Sequence, residues 1–305
     1  MFDISLVGTG GMIPLSNRFL TAMAVRYNGS MLLIDCGEGT QVTLRELGWG
    51  FVNIDYILFT HFHADHIAGL PGLMLSLSNY GRTDMLTIAG PKGVKHVVES
   101  LKVIAPELSY SINYIEISFE DSNLKNIVLG EFHISALRLR HRIECIGYSI
   151  ELYRKGKFDV ARAKEHQIPV EYWNKLQKGQ NVEFGGNIYS PDMVLGPDRK
   201  GLKVSYITDT RPIEEIPDFV RGSDLFICEG LYGDEEMREK AYGFHHMIYS
   251  DAARFAKEGN VKELWLTHYS QAMTNPFEHL YNATDIFQNT KAGEDRMTKT
   301  LSFEE

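Results

Sequence analysis

Short apolar runs, broken by glycines and acidic turns, organise this chain. Ile4 to Gly8 reads as a first strand, closed by the tight turn Gly8-Thr9-Gly10-Gly11. Ala22 to Tyr27 and Ser30 to Asp35 read as two strands, and the Asn28-Gly29 between them is a strong hairpin signal. Asp35-Cys36-Gly37-Glu38-Gly39-Thr40-Gln41 is a glycine-flanked acidic turn leading into a helix over Val42 to Leu47. Asn53 to Phe59, rich in β-branched and aromatic residues, reads as a buried strand, and the apolar run Ile67 to Leu75 as the start of a helix. A strand at Leu86 to Ala89, a helix at Pro91 to Ile104, and strands at Ile112 to Phe119 and Glu131 to Leu139 follow. Further on, Lys203 to Thr208, Asp224 to Cys228 and Leu264 to Leu266 read as strands, with a helix over Ser250 to Glu258. Strand, turn and helix repeat in this way throughout, which predicts a layered α/β fold.

The chemistry gathers where the apolar runs stop. Thr60-His61-Phe62-His63-Ala64-Asp65-His66 lies between a strand and a helix. Residues two apart on an extended segment point the same way, so His61 and His63 can reach one metal ion together. Asp65 and His66, on the following turn, face a second point. Imidazole suits zinc, and a carboxylate can bind a metal or steer its water. His141, Asp209, Glu229 and His268 also stand just past strand ends, and in α/β sheets ligands gather beyond strand ends on one face. His133, inside a strand, reads as structural, and His245 as a capping or surface residue. The glycine turn at 8–11 fits neither the dinucleotide fingerprint nor the P-loop; it reads as backbone that must approach a site closely.

Composition changes the picture in two places. The formal charge over 305 residues is -9, so bulk electrostatics do not advertise nucleic-acid binding. Residues 152–182 run the other way, with Arg154, Lys155, Lys157, Arg162, Lys164, Lys175 and Lys178 against Asp159, Glu165 and Glu171. Tyr153, Phe158, Tyr172 and Trp173 interleave, so the segment reads either as a phosphate-binding, base-stacking arm or as a solvated helical insertion. The three cysteines, Cys36, Cys145 and Cys228, form no Cys-x-x-Cys pair and suit a reducing cytoplasm. The amino terminus is already strand-like, and no apolar stretch reaches the ~18 residues of a membrane span.

Taken together, these motifs resemble the ribonuclease Z family of the metallo-β-lactamase superfamily. The carriers are Gly8-Thr9-Gly10, Asp35-Cys36-Gly37-Glu38-Gly39-Thr40-Gln41, Thr60 to His66 with Gly69-Leu70-Pro71-Gly72-Leu73, Gly90-Pro91-Lys92-Gly93, His141 with Gly147-Tyr148, Asp209-Thr210-Arg211-Pro212, His246, and Leu266-Thr267-His268. The resemblance implies a single αββα domain over 1–305, with a basic arm protruding at about 152–200. It implies two zinc ions, with manganese as the alternative: one held by His61, His63 and His141, the other by Asp65, His66 and His268, and Asp209 bridging them. Asp65 would act as general base, and His246, oriented by Glu229, would give a proton to the leaving 3′ oxygen. The implied substrate is precursor transfer RNA, cut at its 3′ end by a cytoplasmic homodimer. The chain departs from the family pattern in lacking a Gly-Pro element before Lys175-Leu176, in carrying Cys228-Glu229-Gly230-Leu231, and in having Ala272 where an arginine is common. Two other functions fit the residues: a hydrolase of the same fold acting on another phosphodiester or a small ester, and a non-catalytic RNA-binding protein on the same scaffold.

Overall fold

The computed structural model describes residues 1–120 and 122–304. The described residues form two compact units, Met1–Ile150 with Lys203–Ser302, and Glu151–Leu202 with the tail from Phe303.

The larger unit is built on two sheets. The first joins β1 (Phe2–Gly8), β2 (Ala22–Tyr27), β3 (Ser30–Ile34), β4 (Ile54–Leu58), β5 (Leu86–Pro91) and β6 (Ile112–Ile117) in that order, with the last strand of the chain, Thr298–Leu301, outside β1. The second takes in β7 (Leu124–Leu129), β8 (Phe132–Leu139) and β9 (Cys145–Arg154). Two short strands of the smaller unit follow in sequence, β10 (Val182–Phe184) and β11 (Asn187–Tyr189). The second sheet then continues with β12 (Arg199–Ile207), β13 (Leu225–Glu229), β14 (Leu264–Thr267) and β15 (Thr290–Ala292), in the order β15-β14-β13-β12-β9-β8-β7. Thr298–Leu301 is β16. The strands β3 to β6 run parallel, as do β12 to β15.

Both faces of each sheet are covered, which is why the central strands read as continuous apolar runs. In β3, Met31 and Leu33 join the core with the helices Thr40–Glu46, Leu70–Asn79 and Val94–Leu101, while the equally buried Leu32 and Ile34 alternate with them along the strand. In β13, Phe226 and Cys228 join the helices Ile216–Val220 and Tyr249–Glu258, while Leu225 and Ile227 alternate with them. The two sheets meet through side chains such as Phe132, whose ring lies 6.4 Å from Phe2 and 6.1 Å from Tyr56, and through Tyr148, whose hydroxyl donates to the Phe59 carbonyl at 2.7 Å. The result is the αββα sandwich.

Local sequence explains where elements stop. The run Ile67 to Leu75 is interrupted, giving helices Ala64–Ile67 and Leu70–Asn79. Asp65 and His66 therefore sit on a short helix rather than a turn. The break falls at Gly69, whose N–H donates to the Cys36 carbonyl and where a Cβ would lie 2.2 Å from the Gly37 oxygen. The helix expected from Pro91 begins at Val94, because Pro91 ends β5 and Gly93, at φ 92°, turns the chain. Among the described residues no helix is long and apolar enough to cross a membrane.

The smaller unit has its own core of Ala163, Ile168, Leu176, Val182 and Val194. Its helices are Val160–Glu165, capped by the Asp159 carboxylate, and Val170–Gln177; β10 and β11 form a hairpin. Three of the aromatics read as possible stacking surfaces are spent on this core. Phe158 and Trp173 pack at 5.3 Å, the Trp173 indole donates to the Ile168 carbonyl, and Tyr172 joins the same cluster; Tyr153 remains 65% exposed. A cavity of about 620 Å³ in this unit is lined by Arg154, Lys155, Arg162 and Arg199, with Asp192 and Asp198 among its other walls.

Candidate metal centre and active site

The carboxyl ends of β3, β4, β8, β12, β13 and β14 deliver the side chains of the site. Three of the residues just past those ends, Asp35, Asp209 and His268, have left-handed backbone with φ of 59°, 54° and 57°. Each such residue costs of order 1–3 kcal/mol, and their coincidence at one place marks it as functional rather than accidental.

Two sets of ligand-type atoms converge there. His61 Nε2 and His141 Nε2 lie 3.0 and 3.3 Å from His63 Nδ1, and both approach Asp209 Oδ1 at 3.8–3.9 Å. His66 Nε2 and His268 Nε2 are 3.3 Å apart, each within 3.7 Å of Asp65 Oδ2 and within 3.3 Å of Asp209 Oδ2. Asp209 thus turns one oxygen toward each set. Four ligands held ~2.0–2.1 Å from a tetrahedral ion stand roughly 3.3–3.5 Å from one another, which is close to these separations.

Neighbouring groups settle how the rings point. Buried Asp35 accepts from the Thr60 N–H and hydroxyl, both at 2.8 Å, and from His66 Nδ1 at 2.8 Å. That leaves His66 Nε2 facing His268 Nε2 across 3.3 Å, close enough to share either a proton or a cation between the two rings. His141 Nδ1 donates to the His245 carbonyl at 3.3 Å. His245 therefore serves through its backbone, at φ 67°. His133 stays in β8 opposite Val128, outside both sets.

The glycine turn does approach the site. A Cβ on Gly11 would fall 2.8 Å from the His268 ring, and the next N–H, from Met12, donates to Asp65 Oδ2 at 2.8 Å. Burial alone would raise the Asp65 pKa, but the imidazoles of His268 and His66 more than offset it and hold the carboxylate ionised well below the usual range.

His246 stands beside the second set, its ring stacked 5.4 Å from that of His268. Glu229, fully buried, accepts from His246 Nδ1 at 2.8 Å and from the Thr210 N–H at 2.7 Å. Desolvation alone would lower the His246 pKa; the Glu229 carboxylate outweighs it and raises it to about 9. A cleft of about 390 Å³ opens over the whole arrangement, lined in part by Met12, Arg142, Tyr232, Lys240, Phe244 and Ala272. Reading the sequence missed Asp35, Met12, Arg142, Lys240 and Phe244 as site residues. The one signal available in principle was an aspartate standing between a strand and the glycine turn, Asp35-Cys36-Gly37.

Comparison with known proteins agrees. Ribonuclease Z of Clostridium kluyveri is 52% identical over 305 residues, covering all of both chains. Ribonuclease Z of Lachnoclostridium phytofermentans is 50% identical over 304 residues, covering 100% of this chain and 99% of that one. The chain belongs to the ribonuclease Z family. It is a hydrolytic endoribonuclease of metallo-β-lactamase fold, as the motifs of Thr60 to His66 and Asp209 to Pro212 had suggested. Residues 2–167 also place it in the family described as anti-Pycsar protein Apyc1. The crystal structure of the short form of human tRNase Z shares the fold, with a TM-score of 0.70 at 24% identity, over 99% of this chain and 100% of that one. So does the metallo-β-lactamase-fold protein YhfI of Bacillus subtilis, with a TM-score of 0.69 at 18% identity, over 98% of each chain.

Proposed function

We propose that this ribonuclease Z family member removes the 3′ trailer of precursor transfer RNA, in the cytoplasm, with two zinc ions held at the centre described above. His61, His63 and His141 would hold one ion, Asp65, His66 and His268 the other, and Asp209 both. The single observation that carries the reading is Asp209, whose two oxygens face two separate sets of imidazoles. Two such ions would supply an activated water and charge to hold the phosphate oxygens.

The rest is done by the protein. Asp35 and the His245 carbonyl fix ring orientation, so that His66 and His141 present Nε2 inward. Asp65, positioned by the Met12 N–H, takes up the proton of the attacking water. His246, kept protonated at neutral pH by Glu229, gives its proton to the departing 3′ oxygen, leaving a 3′ hydroxyl on the transfer RNA. The smaller unit, with Arg154, Lys155, Arg162 and Arg199 around one cavity, offers cations to the RNA backbone. In a homodimer, one subunit's arm would hold the RNA that the other subunit cuts.

Metal analysis tests the ligand assignment. About two zinc ions per chain are expected, with chelation abolishing cleavage and added zinc restoring it. Full activity after complete removal of metal would refute the assignment.

A further inference from the structure

One wall of the cleft is built differently from the rest of this acidic protein. Lys240 and Phe244 stand one helical turn apart, with the Phe244 N–H donating to the Lys240 carbonyl at 3.1 Å. The Lys240 ammonium lies over the Tyr232 ring at 5.2 Å, and the Arg142 guanidinium over the Phe244 ring at 5.6 Å. All four side chains line the cleft above the metal-type ligands. Among the described residues neither cation pairs with a carboxylate. Both charges are therefore available to a ligand, in a chain whose net charge is -9. Phe244 is 45% exposed, although an apolar ring beside a cleft gains by being covered.

The wall has a side. Phe244 is two residues before His246, and His141, which precedes Arg142, has its ring 5.3 Å from that of His246. A group held against this wall lies next to the proton donor. Resting on the proposed function, we propose that the wall grips the nucleotide upstream of the cut, the one whose 3′ oxygen leaves. Phe244 stacks on its base, and Arg142 and Lys240 neutralise the phosphates beside it. Exposed aromatics that stack unpaired bases, flanked by cations that track the backbone, are the common chemistry of single-stranded RNA recognition. A small phosphodiester with no base to stack would gain nothing from the Phe244 ring.

The experiment pairs a protein change with an RNA change. Cleavage of a precursor transfer RNA is measured with the wild-type protein and with Phe244→Leu and Phe244→Tyr. Each is run on the intact RNA, on RNA abasic at the upstream nucleotide, and on RNA abasic at the downstream one. On intact RNA, Phe244→Leu should raise KM roughly tenfold, and Phe244→Tyr should restore it. On RNA abasic upstream, the two variants and the wild type should agree within about twofold; on RNA abasic downstream, the tenfold gap should persist. Lys240→Gln should make the dependence of log affinity on log salt shallower by about 0.7. A penalty for Phe244→Leu that survives loss of the upstream base would overturn the assignment, because the ring would then act on the fold and not on that base. So would a Phe244→Tyr variant as impaired as Phe244→Leu. A wild-type protein that cuts none of these RNAs would overturn the proposed substrate itself, and this inference with it.

Discussion

At the scale of single residues, the account rests on groups that hold other groups. Asp35 touches no expected ligand atom of the metals directly, yet it fixes His66 through Nδ1. Asp35→Asn should weaken metal affinity roughly 10–100-fold, read by competition with a chelator. Glu229 plays the same part for His246. Because Glu229 raises the His246 pKa, the protonated donor persists as pH rises until pH passes that raised value, about 9 in the ion-free protein. Glu229→Gln removes the charge, so the alkaline limb of the pH–rate profile for kcat should move to lower pH while kcat falls. An alkaline limb that stays in place would mean that His246 is not the group titrating there.

At the scale of elements, much was readable and the remainder has physical causes. Strands β1 to β5 and β13 showed themselves as apolar runs because both faces of their sheets are buried, β8 by its alternation of buried and less buried positions, and Asn28-Gly29 gave the hairpin between β2 and β3. The strands β7, β9, β15 and β16 and the β10–β11 hairpin were not read. β7, β15 and β16 lie at sheet edges, where burial imposes little pattern: Leu124–Leu129 alternates exposed and half-buried positions and carries Lys125 and Asn126. β9 lies inside the second sheet and is buried through Ile150, but Gly147 and Ser149 interrupt its apolar run. The expected ligands were legible because histidines and aspartates clustered at strand ends. Asp35 was not singled out as a site residue, because its role depends on His66 lying 31 positions away in sequence. Close packing at the Gly69 break carries its own prediction. Gly69→Ala puts a Cβ against the Gly37 carbonyl, backbone that cannot rotate away. The acidic turn and the Ala64–Ile67 helix must then separate, so thermal stability should drop by several degrees and zinc affinity should fall with it. Leu73→Ala, buried in the following helix Leu70–Asn79 and packed into the core, should cost about 2–5 kcal/mol in chemical denaturation and leave zinc affinity near wild type.

At the scale of the whole molecule, the proposal divides labour between the centre that cuts and a smaller unit whose segment 152–182 carries seven basic against three acidic residues. Three of the four interleaved aromatics of that unit hold its own core, so its contribution to RNA should be chiefly electrostatic. Replacing Arg154, Arg162 and Arg199 with glutamine should raise KM for precursor RNA and flatten its salt dependence, with kcat at saturating RNA within about threefold of wild type. An equal fall in kcat at saturation would make the unit a support for the fold instead. The central claim meets its most direct test in one assay: zinc-loaded protein against a precursor transfer RNA carrying a 3′ trailer, with Asp65→Ala as control. The account predicts a product ending at or next to the discriminator base, with a 3′ hydroxyl, and none from the control. No such product from the wild-type protein, while a chromogenic phosphodiester is still turned over, would contradict it and assign the same site to a different substrate.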